Sequence, residues 1–183
     1  MTRTLTIRPG KGTVAVREIL LLGNPRLYEV SALVPQSAAP DCAGVVRDLH
    51  DTLLDFRRRY GYGRAIAAPQ IGVAKRLVYM NIDRPMVFLN PTLEHKSVEM
   101  IEVWDDCMCF PELLVKLQRH RSCLIRYRDL EWNKHAMELE DDLSELLQHE
   151  CDHLDGVLAV SRALDTRSLA LRSQRPFLDG SSF

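Results

Sequence analysis

The residues best suited to chemistry in this sequence are two histidines and a glutamate, His149, Glu150 and His153. Residues four positions apart lie on the same face of an α-helix, about one turn from each other. Two imidazoles in that arrangement can hold one transition metal ion, and a glutamate beside the first can act as a general base on water. The spacing therefore indicates metal-assisted hydrolysis.

The residues around this motif predict an amphipathic helix over 141–154. Leucines recur there at helical spacing and would form its apolar face: Leu143, Leu146, Leu147 and Leu154. An alternative is a solvated helix whose histidines bind nothing. The leucine pattern favours the metal site, because it places the imidazoles near the buried side, where polar groups need partners.

A catalytic site of this kind has a third protein ligand and keeps one position open. One known extension adds a third histidine; Gly156 fits that pattern, but Ala159 occupies the ligand position. A glutamate from a later helix is excluded, because no glutamate follows Glu150. The later aspartates are poorly placed along the chain: Asp155, Asp165 and Asp179. The third ligand is therefore expected upstream.

The best upstream candidate is Cys107, within the segment 104–111. One thiolate with two imidazoles suits iron, zinc or nickel. Cys109 would share one face of an extended strand with Cys107. Either thiol could bind the metal, and the other would then be a small buried side chain.

A third segment, residues 61–72, is crowded with glycine and alanine. Small side chains allow a ligand to approach the backbone closely. The amide of Gln70 could donate a hydrogen bond to a developing oxyanion. An ordinary loop between a helix and a strand would have a similar composition, so this segment alone does not indicate a function.

In this order, the three segments resemble the motifs of the peptide deformylases, metalloenzymes that remove the formyl group from the initiator methionine of new bacterial and organellar proteins. The third motif, Q-H-E-x-D-H, is matched in full by residues 148–153. The first, G-x-G-x-A-A-x-Q, is matched at Gly63, Ala67, Ala68 and Gln70. The resemblance runs from about Ile19 to about Val160 and includes segments 23–27 and 90–91.

The resemblance implies a set of roles for the site. Cys107, His149 and His153 would hold the metal, and Glu150 would be the general base. Ferrous iron is the implied native metal, with zinc or nickel as substitutes. The oxyanion would be shared by the Gln70 amide, the Met108 backbone N–H and the metal. The residues implied to bind substrate are Gly63, Arg64, Ala65, Asp105 and Leu146.

Several positions depart from the family pattern. The second motif, E-G-C-L-S, is matched strictly only at Cys107, with Asp105 in place of the glutamate. We expect the shorter Asp105 carboxylate to pair with Arg119. Ala65 replaces the second glycine of the first motif, and Asp142 stands where relatives usually carry an apolar side chain near the methionine pocket. These changes leave the ligands intact but open the question of substrate preference and rate.

Composition predicts one domain over 1–183, with a polar lead-in over 1–13 and a flexible tail over 172–183. The net charge of −1 gives no case for direct DNA binding. The apolar run 19–22 is too short for a signal peptide or a membrane span. Five cysteines without framework spacing fit a reducing cytoplasm.

The element pattern predicts an α+β fold, with antiparallel β-sheets packed around the central metal-binding helix, as in the deformylases. Helices are expected over 41–60, with Asp41 as N-cap, over 141–154, and over 162–172. A hairpin turn is expected at 130–133. Strands are expected over 77–81, 86–90, 98–103, 113–117 and 123–127.

The resemblance implies formyl-methionyl nascent peptides as substrates, transient proximity to the ribosome and a monomer. Three other interpretations remain open. The same ligands would serve a metallopeptidase or another amidase. A deformylase-like protein with altered substrate or lost turnover would keep the metal site. A structural zinc domain would leave no open coordination position.

Overall fold

The structure, a computed structural model, describes residues 15–178. The expected lead-in over 1–13 and the last five residues lie outside this range. The described part holds two α-helices and eight β-strands. Their bounds are β1 Ala65–Ala67, β2 Leu77–Asn81, β3 Pro85–Glu94, β4 Met100–Asp106, β5 Leu113–His120, β6 Ser122–Arg128, β7 Lys134–Glu140, β8 Leu169–Leu171, α1 Cys42–Tyr60 and α2 Asp141–Leu154.

The strands form two antiparallel sheets. The larger has the order β1-β2-β3-β6-β7, and the smaller has the order β4-β5-β8. Helix α2 contacts β1 and β7 of the larger sheet and β5 of the smaller one. The expected α+β fold with antiparallel sheets around the motif helix is therefore confirmed.

The two faces of the larger sheet bury different helices. Ile66 and Tyr79 belong to the apolar cluster around α1, whereas Ala65 and Val78 belong to the cluster around α2. Successive strand residues point to opposite faces, so uninterrupted apolar runs in β1 and β2 serve both helices. Leu147 and Leu154 of α2 are fully buried. The motif helix is thus fixed in the core rather than lying on the surface.

Most predicted elements are confirmed, with strand ends that differ by a few residues. Strand β2 and helix α2 have the predicted bounds, and the turn at 130–133 joins β6 to β7. Asp41 occupies the N-cap position of α1 but makes no side-chain capping hydrogen bond. Strands β1, β7 and β8 were not predicted.

The helix predicted over 162–172 is wrong. A 3-10 turn over Ala159–Arg162 is followed by a loop and by β8, which pairs with Leu113–Val115. The Asp165 carboxylate accepts hydrogen bonds from the Arg167 N–H and the Ser168 hydroxyl. Such local side-chain bonds compete with helical hydrogen bonds, which explains the loop.

The first part of the flexible tail predicted over 172–183 makes specific contacts with the rest of the structure. Residues Arg172–Phe177 form a 3-10 helix. The Arg172 side chain donates a 2.7 Å hydrogen bond to the Pro111 carbonyl, forms a 3.0 Å ion pair with Asp106, and lies 3.8 Å above the Tyr62 ring. These contacts hold the segment against the smaller sheet. Neither described helix is long and apolar enough to cross a membrane.

Candidate active site

Helix α2 brings both motif histidines and the glutamate into the interior. His149, Glu150 and His153 are 6%, 3% and 1% exposed. The Nε2 atoms of the two imidazoles are 3.1 Å apart, and the Cys107 Sγ lies 3.2 Å from the His153 Nε2. Cys107, His149 and His153 each offer one donor atom, and these three atoms lie within 4.8 Å of one another. Three soft or borderline donors therefore converge on one point.

The two thiols left open by the sequence have different places. Cys107 and Cys109 do not share a strand face, because β4 ends at Asp106 and a turn follows, closed by a hydrogen bond from the Phe110 N–H to the Cys107 carbonyl. The turn directs Cys107 to the imidazoles. Both cysteines pack in one apolar cluster, but only the Cys107 Sγ lies with the two histidines, and the Cys109 backbone N–H donates to that Sγ over 3.4 Å.

A buried carboxylate sets the orientation of His149. The His149 Nδ1 lies 2.9 Å from one Asp105 oxygen and 3.0 Å from the other. Arg119, 3% exposed, donates to Asp105 over 2.9 Å and also pairs with Asp152. The expected Asp105–Arg119 pair is present. A carboxylate on Nδ1 leaves Nε2 free for a metal, so Asp105 acts on the imidazole more directly than on a substrate.

Burial dominates the electrostatics of the donors. Burial raises the pKa of Glu150 to about 7, against the lowering effect of a charged His149. Burial also raises the pKa of the Cys107 thiol and lowers that of His153 well below its usual value. Burial alone would lower the pKa of His149, but the Asp105 carboxylate raises it to about 10.

These donors fit a divalent metal ion. Among the described residues, the buried Glu150 Oε2 has no hydrogen-bond partner, and the Nε2 atoms of His149 and His153 face each other at 3.1 Å with the Cys107 Sγ 3.2 Å from the latter. Burying such atoms unpaired is costly. A thiol and two imidazoles are the ligand set that iron, zinc and nickel accept, and a nearby cation favours their deprotonated forms.

The Gln70 amide is aimed at the same point. Its oxygen accepts a 2.7 Å hydrogen bond from the Ala67 N–H. This bond turns the amide Nε2 toward the thiols of Cys107 and Cys109, at 3.8 and 3.6 Å. Gln70 is 1% exposed and sits in a 3-10 turn directly after β1. Its donor is therefore fixed beside the three converging atoms.

A cavity of about 840 Å³ leads from the surface to His149 and Glu150. Edge strands β1 and β4 and helix α2 form its walls. It is lined by all five predicted substrate-binding residues, together with Gln70 and Met108: Gly63, Arg64, Ala65, Asp105 and Leu146.

Among the described residues, no strand pairs with the edge of β1 that faces this cavity. Strand β1 is the first strand of the larger sheet, and the Asn81 N–H donates to the Arg64 carbonyl across the β1–β2 pair. Backbone groups of consecutive residues point to opposite edges, so the N–H and C=O of Ala65 face away from β2. Ala65 is absent from the residues with positive φ, whereas Gly63 has a φ of 116°. Alanine in place of the family's glycine at position 65 therefore causes no backbone strain.

Glu145 is a charged residue of the site that the sequence motifs did not indicate. Arg64 pairs with Asp142 and, at 3.2 Å, with Glu145 on the cavity wall. Burial raises the pKa of Glu145 to about 7. Its position four residues before His149, on the same helical face, was the available signal.

Comparison with known proteins gives one consistent result. The sequence model of the polypeptide deformylase family matches residues 16–168. The chain is 33% identical to peptide deformylase 1 of Prochlorococcus marinus over 88% of each chain. It is 32% identical to the peptide deformylase of Pseudothermotoga lettingae over 87% of this chain and 90% of the relative.

Solved structures agree on the fold. A peptide deformylase from Synechococcus elongatus in complex with actinonin superposes with a TM-score of 0.79 at 24% identity, covering 91% of this chain and 90% of that one. A peptide deformylase from Legionella pneumophila gives 0.74 at 28% identity, covering 84% and 89%. The chain therefore belongs to the polypeptide deformylase family, metal-dependent hydrolases that remove the formyl group from nascent polypeptides.

Proposed function

We propose that this chain deformylates nascent formyl-methionyl peptides with Cys107, His149 and His153 as the metal ligands and Glu150 as the general base. The observation that carries the assignment is the convergence of the three donor atoms within 4.8 Å at the inner end of the cavity. Glu150 follows His149 on the same helix and offers an unpaired carboxylate oxygen there.

We infer that the ion is ferrous iron, with zinc or nickel as functional substitutes. The donor set accepts all three, and the family resemblance favours iron. When bound, a divalent ion supplies Lewis-acid chemistry: it polarises a carbonyl and makes water a stronger acid. Asp105 holds the His149 ring in the orientation that presents Nε2 to the ion.

Glu150 moves the proton. Because burial raises its pKa to about 7, its carboxylate can accept a proton from water near neutral pH and return it to the leaving amine. The oxygen that attacks then adds to the formyl carbon, and the C–N bond breaks. The products are formate and a peptide with a free amino group.

The developing negative charge on the formyl oxygen is stabilised by two donors of the chain, the Gln70 amide and the Met108 backbone N–H. Gln70 is supported by its fixed orientation toward Cys107. Met108 is supported by its place in the turn, directly after Cys107 and at the cavity wall. Fixed donors of this kind are effective because they need no reorganisation during the reaction.

The peptide binds as an added strand along β1, with Gly63, Arg64 and Ala65 at its backbone and Leu146 against its first side chain. The free edge of β1 supports this mode, which gives affinity without demanding a particular sequence. The family resemblance and the five free, buried cysteines support a cytoplasmic monomer that meets peptides near the ribosome.

The test is anaerobic reconstitution with Fe(II), followed by formate release from formyl-Met-Ala-Ser and acetyl-Met-Ala-Ser. We expect release from the formyl peptide and no cleavage of the acetyl peptide. Cys107→Ala and His149→Ala should lose the metal, whereas Glu150→Gln should keep it and lose turnover. An active Glu150→Gln enzyme would exclude Glu150 as the base.

Other outcomes would favour the competing interpretations. One equivalent of bound metal with no hydrolysis of either peptide would indicate a deformylase-like protein that has lost turnover. Cleavage of internal peptide bonds without formate release would indicate a metallopeptidase. A spectrum with four protein ligands and no exchangeable position would indicate a structural metal site.

A further inference from the structure

The cavity wall beside the metal-binding residues carries a cluster of three charged side chains, Arg64, Asp142 and Glu145. Arg64 projects from the start of β1 and reaches across to both carboxylates on α2. Glu145 is 9% exposed, and all three residues line the cavity. A side chain that enters from the cavity therefore meets ionisable groups rather than an uninterrupted apolar wall.

The position of this cluster along α2 relates it to the substrate's first side chain. Asp142 lies three residues before Glu145 and four before Leu146, and these two lie four and three residues before His149; all four line the cavity. A Glu145 carboxylate oxygen, a ring nitrogen of His149 and an Asp105 oxygen lie within 4.8 Å of one another. The first Cα of a formyl peptide is two bonds from the carbon attacked beside His149. With Leu146 against this first side chain, as proposed above, the side chain would extend toward Glu145.

The charges of the cluster are unequal. Two carboxylates share one guanidinium, so the cluster has one more acidic than basic group. The Arg57 guanidinium, which also lines the cavity, donates to the carbonyl oxygens of Gly63 and Asn81 rather than to this cluster. Asp105 is already paired with Arg119 and His149. Asp142 and Glu145 therefore offer two carboxyl groups to the one guanidinium that contacts them.

We propose that this subsite recognises formylated residues with a cationic side chain, lysine or arginine, in addition to methionine. The inference rests on the proposed function of the metal site. The aliphatic part of such a side chain packs on Leu146, and its charged end reaches the carboxylates, as long basic side chains commonly do. A cation there completes the neutralisation that Arg64 begins. An anionic side chain is repelled.

The test compares kcat/KM for formyl-Lys-Ala-Ser, formyl-Met-Ala-Ser and formyl-Glu-Ala-Ser with the Fe(II) enzyme. We expect hydrolysis of the lysine peptide within about tenfold of the methionine peptide, and at least about tenfold above the glutamate peptide. Added salt should reduce the rate for lysine and leave that for methionine nearly unchanged.

Two variants should shift the lysine-to-methionine ratio in opposite directions. Glu145→Gln, which keeps the size of the side chain, should lower it about five- to tenfold. Arg64→Met removes the competing guanidinium and should raise it. A purely structural cluster would change both peptides equally in either variant. The matched control is Asp141→Asn, which removes a neighbouring carboxylate that pairs with Arg121 and does not line the cavity; its ratio should equal that of the wild type.

The outcomes separate this inference from the proposed function. Rapid hydrolysis of the methionine peptide, with the lysine and glutamate peptides equally poor, would overturn the inference and leave the deformylase assignment intact. If no formyl peptide is hydrolysed, the assignment of turnover fails. Calorimetric binding of Lys-Ala-Ser, Met-Ala-Ser and Glu-Ala-Ser to the same protein then decides the subsite, and binding of lysine no tighter than glutamate overturns it.

Discussion

At the scale of single residues, the site depends on a carboxylate that is shorter than the family's usual glutamate. Asp105 still reaches both His149 and Arg119, at 2.9–3.0 Å. The shorter side chain keeps the pairing because β4 and β5 hold Asp105 opposite Val115, deep in the smaller sheet. The contact therefore depends on the strand that carries the carboxylate as well as on its length.

We expect Asp105→Asn to weaken metal binding about 10- to 100-fold, because the amide no longer fixes the His149 ring as a carboxylate does. The variant also leaves Arg119 buried with one fewer anionic partner and should lower the free energy of unfolding by about 3 kcal/mol. Metal-buffered titration and urea unfolding measure the two effects. Glu99→Gln removes an exposed partner of Arg121 and should change neither; an equal effect of both variants would contradict the argument.

The pH dependence of catalysis should follow Glu150. Its burial raises the pKa to about 7, and the base acts only when it is deprotonated. We expect kcat/KM to fall as pH decreases through neutrality, with a slope of one proton. Initial rates in metal-loaded enzyme between about pH 5 and about pH 9 measure this. A rate that is independent of pH in that range would show that Glu150 does not carry the proton.

The residue types at the centre could be read from the sequence, because two histidines at helical spacing limit the chemistry strongly. Which of Cys107 and Cys109 joins them could not, since the answer depends on where β4 ends. For Glu145 the sequence offers only its position four residues before His149, which does not reveal its partner. Its contact with Arg64 joins elements that are 81 residues apart.

At the scale of elements, the end of α2 is fixed by close packing against the chain that precedes α1. Gly156 has a φ of 70°, and a Cβ there would lie 2.5 Å from the Tyr28 carbonyl oxygen. The Ser31 N–H donates to the Leu154 carbonyl over 2.9 Å. The helix that carries the histidines is therefore held at its last turn by backbone.

We expect Gly156→Ala to lower the free energy of unfolding by about 2–3 kcal/mol, because it adds backbone strain and a clash with another backbone. Gly44→Ala is the matched control. It lies inside α1, where the nearest atom to a new Cβ is the Arg47 side chain at 3.9 Å, and it should add about 0.5–1 kcal/mol. Urea unfolding of both compares them, and a neutral Gly156→Ala would contradict the packing argument.

Elements whose apolar residues repeat at a regular spacing were predicted well. Elements that form only by pairing with a distant strand were not. Helix α2 shows its leucine pattern directly. Strand β8 has only three residues, two of them about half exposed, and exists because β5 offers it an edge. Such pairing depends on chain segments far apart in sequence, which local patterns do not report.

At the scale of the whole molecule, the proposed metal joins the two sheets. Cys107 follows β4 of the smaller sheet, whereas His149 and His153 lie on the helix packed against the larger one. A ligand that binds only the folded state stabilises it by mass action. Metal binding should therefore resist separation of the two sheets.

We expect removal of the metal by a chelator to lower the melting temperature by about 5–15 °C. The melting temperature of Cys107→Ala should lie near that of the metal-free wild type, and chelator should not change it. Scanning calorimetry with and without chelator measures both. An equal chelator effect on Cys107→Ala and the wild type would place the stabilising metal elsewhere.

The proposed binding of the peptide along the edge of β1 also sets a condition on when this chain could act on a protein. A chain can lie along that edge only while its first residues are extended and unattached to any other structure. Once a newly made protein has folded its beginning into a sheet or a helix, the same formyl group is out of reach. Deformylation therefore competes kinetically with folding of the substrate. When the enzyme is scarce, proteins that bury their first residues fastest should most often keep the formyl group.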